Sequence, residues 1–388
     1  MPAKSERIRT HSAIRPPDTR RQHGIQTRGH NGPEERPLKP DTPRPLRLLA
    51  TLLVAWLAAQ ACVHLNTPLP WMIGPLLSTA ALSIAGAPLL SSRRLRNGGQ
   101  WIVGTVLGLY FTPAVAAQSL ALAPWMLLGA LWALLMGFLF GRWLLWSQPA
   151  GTVDATTAYF ASVIGGASEM AAFAERVGAR VDLVAAAHSL RVMLVVLVIP
   201  FGYQGLGLHG HDPAAISRVG VQPMGLVLLG LATAAGALAM HALRQPNPWV
   251  LGSLLVALGL TASGVELSAM PGWLSATAQL SIGISLGTRF TPAFLHTAPR
   301  WLAATAIGTL GMIAASAGYA WLVAQATGLV PATVLLGNSP GGIAEMCITA
   351  KVLDLGVAVV TGFHVVRYVI VLVLTGPVYA RFVRPHPH

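Results

Sequence analysis

Two short segments place a glutamate and a pair of glycines inside long apolar stretches. "GGASEMAAFAE" (165–175) contains Glu169, and "PGGIAEMCITA" (340–350) contains Glu345. A carboxylate at membrane depth costs about 2.5–3.5 kcal/mol on insertion scales, so a chain that carries it twice is expected to use it. The chemistry open to these carboxylates is proton or cation coupling, or the orientation of a substrate. The alternative is a carboxylate that closes an internal salt bridge and serves packing.

An arginine follows each glutamate after 22 residues, and a histidine precedes each arginine by three. The pairs are His188 with Arg191 and His364 with Arg367. Residues three apart on a helix share one face. One interpretation is an anion-binding or charge-balancing arginine with a protonatable imidazole beside it. The other is an arginine paired with the glutamate of its own segment, and a histidine hydrogen-bonded to a carbonyl; the two are compatible.

The glycines beside the glutamates predict a break in the helix. They are Gly165 and Gly166 in the first segment, and Gly341 and Gly342, preceded by Pro340, in the second. Irregular backbone at membrane depth is tolerated only where protein or a water-filled cavity surrounds it. We therefore expect an unwound backbone that borders a cavity, with the glutamate facing that cavity.

Four small polar side chains close to the breaks are further candidates for contact with a substrate. They are Ser162, Ser168, Asn338 and Ser339. Their neutral groups could accept or donate hydrogen bonds, although small hydroxyls in membrane helices more often serve contacts between helices. Both interpretations remain open from the sequence.

The composition identifies the class of protein that holds these residues. Of 388 residues, 54% are hydrophobic and only 10% are charged, against roughly 25% charged in an ordinary soluble domain. Apolar runs of about 20 residues, long enough to cross a bilayer as helices, recur along the chain. The sequence predicts an all-α, polytopic membrane protein.

The chain contains an internal duplication. Four motifs recur in one order at offsets of 176–179 residues: "PWMIGPLL" with "PWVLGSLL", "GLYFTP" with "GTRFTP", "GGASEM" with "GGIAEM", and "HSLR" with "HVVR". They divide the chain into a repeat at 46–210, a linker at 211–220 and a repeat at 221–388. In the first motif we expect Trp71 and Trp249 to be interfacial anchors, and Gly74 and Gly252 to be points of close helix approach.

The distribution of arginine predicts that the halves have opposite orientations. With the basic start of the chain on the cytoplasmic side, helices at 47–65, 70–90 and 100–121 place the Arg93–Arg96 loop inside. The loops that carry Arg244 and Arg300 also fall inside, where the matching loops of the first half are neutral and outside. This predicts two inverted repeats of about five transmembrane helices each, plus one re-entrant or broken Gly-Gly segment per repeat. A Gly-Gly segment that crossed fully would instead make the halves parallel.

Residues 1–45 and the two cysteines offer no further candidates for a functional site. The segment 1–45 carries ten Lys and Arg and five acids, has no apolar periodicity, and is predicted to be a disordered cytoplasmic tail that helps fix topology. It has no signal-peptide pattern, and no nucleic-acid partner is expected. Cys62 and Cys347 lie in apolar surroundings and match no disulfide, zinc or redox pattern.

The duplicated motifs resemble the AbrB-type integral membrane family of proteobacteria, which is distinct from the soluble DNA-binding regulator of similar name. Its members carry a duplicated domain with "GGxxEM" and "HxxR"-like segments, and the likeness covers about 46–384. The resemblance implies an inner-membrane protein, described as a transporter or a regulator of gene expression and once labelled an ammonia monooxygenase. The family pattern places a proline before both Gly-Gly pairs. Pro340 keeps it, whereas Ile164 replaces it in the first repeat.

The sequence favours a secondary transporter of the bacterial inner membrane, with both termini cytoplasmic. Its substrate is a small molecule, with an anion among the candidates, and its coupling ion is H⁺ or Na⁺. Such inverted repeats with interrupted helices are usual in secondary transporters. The alternatives are a membrane-embedded regulator or ligand sensor, and a monooxygenase-like enzyme. The enzyme is disfavoured because the membrane histidines are dispersed along the chain, so no metal and no cofactor are expected. Expected partners are the lipid bilayer, a small molecule or ion, and further copies of the chain.

Overall fold

The computed structural model describes residues 43–210 and 220–383, without the side chains of 295–297, and these residues form helices and no strands. Most of the predicted tail and of the linker at 211–220 therefore lies outside the described residues. The helices of the first half are α1 (Arg44–His64), α2 (Pro70–Ile84), α3 (Arg93–Gly108), α4 (Pro113–Ala121), α5 (Ala123–Ser147), α6 (Ala155–Ser162), α7 (Ala167–Arg176) and α8 (Val181–Gly205).

The second half presents helices of the same kinds in the same order. They are α9 (Pro223–Ala242), α10 (Pro248–Ala262), α11 (Gly272–Gly287), α12 (Pro292–Thr297), α13 (Pro299–Thr327), α14 (Pro331–Asn338), α15 (Ile343–Val352) and α16 (Val357–Phe382). Helices α2 and α10 both have 15 residues, α6 and α14 both have 8, and α7 and α15 both have 10. This order is the one expected of a duplicated chain.

Six helices of the described chain are long and apolar enough to cross a bilayer: α1, α5, α8, α9, α13 and α16. The bent pair α3 and α4 is a seventh if it is counted as one span. The predicted all-α, polytopic membrane class is confirmed. Helices α2, α3, α10 and α11 have 15 or 16 residues, about 24 Å at 1.5 Å per residue, against a hydrocarbon core of about 30 Å. Ten crossings and opposite halves therefore stay predictions.

The predicted continuous helix at 100–121 is wrong, because the chain turns by 90° between α3 and α4. Thr112 stands before Pro113, and a residue before proline is disfavoured in the helical region. The Thr112 hydroxyl accepts a hydrogen bond from the Val115 amide at 3.4 Å and so caps the new helix. Thr291 caps α12 in the same way, at the amide of Phe294. The repeated "FTP" segment therefore ends one helix and caps the next.

The helices pack as two groups, and each group contains matching helices of both halves. Group A consists of α1–α3 and α9–α11, in which α3 packs on α10 and α2 on α11. Group B consists of α5–α8 and α13–α16, in which α5 packs on α16 and α8 on α13. Between the groups, α15 and α16 contact α3. The two Gly-Gly breaks, between α6 and α7 and between α14 and α15, belong to group B.

Gly74 and Gly252 are points of close approach, as the sequence predicted. A Cβ atom on Gly74 would lie 2.6 Å from the carbonyl oxygen of Ala58 in α1. A Cβ atom on Gly252 would lie 2.6 Å from the Cα atom of Ala237 in α9. Since both obstacles are backbone atoms, neither can rotate away, and glycine is required for these helix pairs to touch.

Gly252→Ala is expected to lower the free energy of unfolding by about 1–3 kcal/mol, because the helices must separate to admit the methyl group. Gly259→Ala is the matched control on the same helix. A Cβ atom on Gly259 meets nothing within 4 Å, so alanine should be neutral or stabilise by about 0.5–1 kcal/mol. Unfolding of purified protein in detergent measures both. Equal effects of the two substitutions would contradict the close packing of α9 and α10.

Labelling of single cysteines is expected to separate inverted from parallel halves. Ser91 and Ser263 are exposed and lie in the matching loops α2–α3 and α10–α11. With Cys62 and Cys347 replaced, Ser91→Cys should react with an impermeant thiol reagent from the cytoplasmic side and Ser263→Cys from the opposite side. The reason is that Arg93, Arg94 and Arg96 follow the first loop directly, in the first turn of α3, whereas the second loop and the first turn of α11 carry no Lys or Arg. Reaction of both positions from one side would mean parallel halves.

Candidate functional site

The two breaks interrupt matching helices of group B. Helix α6 ends at Ser162 and α7 begins at Ala167, while α14 ends at Asn338 and α15 begins at Ile343. Each break leaves carbonyl oxygens at the end of one short helix and amide groups at the start of the next without helical partners. Such buried groups need partners from elsewhere in the protein.

In the first repeat, His188 and Arg191 supply partners for the end of α6. The His188 Nε2 atom hydrogen-bonds the Phe160 carbonyl at 2.9 Å. The Arg191 guanidinium donates to the carbonyls of Ser162 and Val163 at 3.2 and 3.1 Å. Both side chains are 1% exposed, so this pair is a buried cap on the carboxyl end of α6.

The second repeat makes the same cap with His364 and Arg367. The His364 Nε2 atom hydrogen-bonds the Leu336 carbonyl at 2.9 Å. The Arg367 guanidinium donates to the carbonyls of Ser339 and Gly341, the latter at 2.7 Å. A cation at the carboxyl end of a helix is also favoured by the helix dipole.

Each arginine also fixes the tautomer of its histidine. Arg191 donates to His188 Nδ1 at 2.9 Å, and Arg367 donates to His364 Nδ1 at 2.8 Å. A guanidinium has no acceptor atom, so Nδ1 accepts and the proton stands on Nε2. The prediction that each histidine hydrogen-bonds a carbonyl is confirmed, and neither ring nitrogen is left free.

One of the two interpretations left open by the sequence, an ion pair between each arginine and the glutamate of its own repeat, is wrong. Among the described residues, the one ion pair within 4.0 Å joins Arg180 and Asp182, both half-exposed. Arg191 and Arg367 instead donate hydrogen bonds to backbone carbonyls at the carboxyl ends of α6 and α14. These carbonyl oxygens have no helical partners and need donors from elsewhere. This corrects the pairing expected from the 22-residue spacing.

The second glycine of each pair makes room for the glutamate. A Cβ atom on Gly166 would collide with the Oε2 atom of Glu169, and one on Gly342 would collide with the Oε2 atom of Glu345. Each carboxylate therefore folds back over the amino end of its own helix, where the glutamate is the third residue. A glutamate at this position satisfies amide groups that the helix leaves unpaired.

The predicted breaks are present, but Gly166 and Gly342 do not use the special backbone freedom of glycine there. The φ angles of Gly166 and Gly342 are −67° and −80°, which any residue adopts. The first glycine of each pair makes room for a methionine. A Cβ atom on Gly165 would lie 3.0 Å from Met170, and one on Gly341 would lie 2.7 Å from Met346. The motif "GGxxEM" is thus a packing unit that starts a helix.

A cavity of about 700 Å³ lies between groups A and B and meets both breaks. Both glutamates and all four glycines of the two pairs line it. Its charged lining otherwise consists of six arginines: Arg93, Arg96, Arg191, Arg244, Arg289 and Arg367. Six guanidinium groups against two carboxylates give the cavity a positive excess.

The small polar candidates divide between the cavity and the helix interior. Ser168 is exposed and lines the cavity, at the amino end of α7. The Asn338 amide donates to the Val334 carbonyl at 2.9 Å, and the Ser339 hydroxyl donates to the Leu336 carbonyl at 2.9 Å. Asn338 and Ser339 therefore do not line this cavity, because their side chains turn back onto the last turn of α14.

The Ser162 hydroxyl likewise bonds within its own helix. It donates to the Tyr159 carbonyl at 2.8 Å and is fully buried. Trp249, predicted to be an interfacial anchor, lines the cavity. Its indole N–H lies 2.9 Å from the side-chain amide of Asn97, which accepts the hydrogen bond when the amide oxygen faces the indole. Group A thus contributes polar contacts to the cavity that the repeat pattern alone did not predict.

Sequence reasoning missed Arg96 and Arg289 as site residues. The Arg96 Nε atom is buried without a hydrogen-bond partner among the described residues, and Arg289 lies within electrostatic range of both Arg96 and Glu345. The signal was present in the repeat, since Arg289 of "GTRFTP" stands where the first half has Tyr110 of "GLYFTP". A charge that appears in only one copy of a duplicated apolar motif is a candidate functional residue.

Comparison with known proteins assigns the chain to a family. The model of the family described as "Transition state regulatory protein AbrB" matches residues 71–384. The chain is 28% identical over 339 residues to "Uncharacterized protein YhjN" of Bacillus subtilis (strain 168), covering 80% of this chain and 86% of that protein. It is 28% identical over 330 residues to "Putative regulator AbrB" of Escherichia coli (strain K12), covering 83% of this chain and 91% of that protein. Since the family model covers most of the chain, which is helical and polytopic, this protein belongs to the membrane-type AbrB family.

Proposed function

We propose that this protein is a secondary transporter of the bacterial inner membrane, with both termini cytoplasmic, for a small anion coupled to H⁺ or Na⁺. The observation that carries the proposal is the arginine-rich cavity at the meeting point of two broken helices. Interrupted helices that border a cavity are where secondary transporters bind substrates and coupling ions.

The charge of the cavity argues for an anion. Arg191 and Arg367 donate hydrogen bonds to backbone carbonyls, so their main role is to stabilise the interrupted helices. Arg96 and Arg289 form no side-chain hydrogen bond with a described residue and are available to a substrate. Guanidinium groups bind carboxylate, sulfate and phosphate oxygens with strong charge-assisted hydrogen bonds.

The amino ends of α7 and α15 favour the same ligand. Ser168 and Ala344, in the first turns of these helices, line the cavity. The amide groups of the first turn and the helix dipole make such ends attractive to negative charge, which the carboxylates of Glu169 and Glu345 supply in this structure. The cavity lies between groups A and B, so a bound anion would contact both groups and influence how they move relative to each other.

Uptake by proteoliposomes tests the proposal. Purified protein should import at least one of labelled sulfate, phosphate or succinate under an inward H⁺ or Na⁺ gradient, and protein-free liposomes should not. The E. coli relative is named a regulator, and a regulator with this cavity would bind anions without moving them. Anion-induced thermal stabilisation without uptake would therefore favour a ligand sensor. The absence of both binding and uptake would overturn the anion assignment.

A further inference from the structure

We propose that Glu345 is an internal competitor of the transported anion: its carboxylate occupies the amino end of α15, in the cavity that Arg289 also lines, and it must take up a proton before an anion replaces it there. This inference rests on the proposed anion-binding function of the cavity. It assigns proton coupling to the second repeat alone.

The position of the carboxylate supports this role. Glu345 folds over Gly342, at the amino end of α15, and a Cβ atom on that glycine would strike its Oε2 atom. The groups that attract a substrate anion to this helix end are therefore already next to a negative charge. An anion cannot take the same place while the carboxylate remains ionised, because like charges at contact distance repel strongly.

Arg289 makes the second repeat different from the first. Its guanidinium lies within electrostatic range of Glu345 and Arg96, and it forms no hydrogen bond with a described residue. The matching residue of the first repeat is Tyr110, which carries no positive charge. Glu169 folds over the amino end of α7 in the same way as Glu345, but the position that matches Arg289 in its repeat is the uncharged Tyr110.

Among the described residues, Arg289 is the cation whose charge acts on Glu345. The remaining arginines of the cavity are Arg93, Arg96, Arg191, Arg244 and Arg367, and its other titratable residues are Glu169, His188, His241, His364 and Tyr368. Cys347 and Lys351 are titratable residues on α15 itself. Lys351 donates to the Ser275 hydroxyl at 3.0 Å. The Cys347 sulfur accepts from Thr361 at 3.4 Å.

The exchange balances in charge and atoms. One proton converts the Glu345 carboxylate to a neutral carboxylic acid, which removes the negative charge beside the amino end of α15, and the anion then takes that place and becomes the partner of the Arg289 guanidinium. Binding of the anion and binding of the proton therefore favour each other, and linkage requires that each raise the affinity for the other by the same factor. We expect anions to bind more tightly as the pH falls.

Titration with sulfate and methanesulfonate tests this, because both probes keep their charge across the pH range used. The wild-type affinity for at least one of them should rise on the order of tenfold between about pH 8 and about pH 5.5. Glu345→Gln should bind that probe at pH 8 about as tightly as the wild type does at low pH, with no pH dependence. Glutamine in the third helical position still caps the helix, so this variant is expected to fold.

Two further variants use the duplication as a control. Glu169→Gln should keep the wild-type pH dependence, since no arginine matches Arg289 in the first repeat. Arg289→Tyr, which copies Tyr110, should bind both probes weakly at every pH. Thermal unfolding without a probe shows whether each variant is folded.

Weaker binding by Glu345→Gln than by the wild type, or an unchanged pH dependence, would overturn the proposal. Loss of the pH dependence in Glu169→Gln as well would overturn its restriction to the second repeat. Binding that follows the expected pattern without uptake by proteoliposomes would leave this inference standing and defeat transport. Failure of the wild type and Glu345→Gln to bind either probe at any pH would defeat both.

Discussion

Arg367→Met is expected to lower the free energy of unfolding by about 3–5 kcal/mol, because it leaves several buried acceptors without a donor. The substitution removes the donors to the carbonyls of Ser339 and Gly341 and to His364 Nδ1. Arg367 is 4% exposed, so water cannot readily replace these donors. The carboxyl end of α14 would be left with unpaired acceptors, each costing about 1–3 kcal/mol. Denaturant unfolding in detergent measures the loss.

The first repeat supplies the matched control for this prediction. Arg191→Met removes the corresponding donors at the end of α6 and should destabilise the protein by a similar amount. Arg367→Lys should rescue little, because one ammonium group lacks the planar fork that reaches two carbonyls and an imidazole. A stability of Arg367→Met within about 0.5 kcal/mol of the wild type would show that this arginine does not cap the helix.

Arg96→Gln together with Arg289→Gln is expected to weaken anion binding by about 100- to 10,000-fold. Each guanidinium would contribute one hydrogen bond to a charged group, about 1.5–3 kcal/mol, and the two add if they contact the same ligand. Stability should change little, because neither guanidinium is hydrogen-bonded to a described residue. Binding of sulfate and methanesulfonate, measured by calorimetry at low pH, gives the change in affinity.

Arg244→Gln is the control for the general charge of the cavity. Arg244 lines the same cavity but is exposed and lies in the α9–α10 loop. Loss of this charge should reduce affinity by less than about tenfold, since an exposed charge is screened by water and salt. An equal loss in Arg244→Gln and in the double variant would mean that overall charge attracts the anion, and that Arg96 and Arg289 do not form a specific site.

The sequence predicted those features that follow from the length of its apolar segments and from its internal duplication. Composition predicted the helical membrane class, and the repeated "PWxxG" motifs predicted the close contacts of Gly74 and Gly252. The prediction of a continuous helix at 100–121 was wrong because hydropathy carries no information about a local helix cap. Thr112 before Pro113 turns the chain although both flanking segments are apolar.

The roles of Arg191 and Arg367 could not be predicted from residue types. Their partners are backbone carbonyls, which every residue carries, so nothing in the sequence marks the acceptors. In the sequence, the negative charge that stands out for each arginine is the glutamate 22 residues before it. That glutamate suggested an ion pair, which does not form. The sequence also could not show why "GGxxEM" needs glycine. A Cβ atom would collide with the carboxylate of Glu169 or Glu345, and this depends on the conformation of the glutamate side chain.

Protection of a single cysteine in the cavity tests most directly whether the anion binds between the two helix groups. Ser168→Cys, in protein with Cys62 and Cys347 replaced, lies at the amino end of α7 and borders the cavity. A bound anion should slow its reaction with a neutral thiol reagent in detergent, with half-protection at the concentration that half-saturates binding. Ser91→Cys, exposed outside the cavity, should react at an unchanged rate. Equal reaction rates at position 168 with and without saturating anion would contradict the assignment of this cavity as the substrate site.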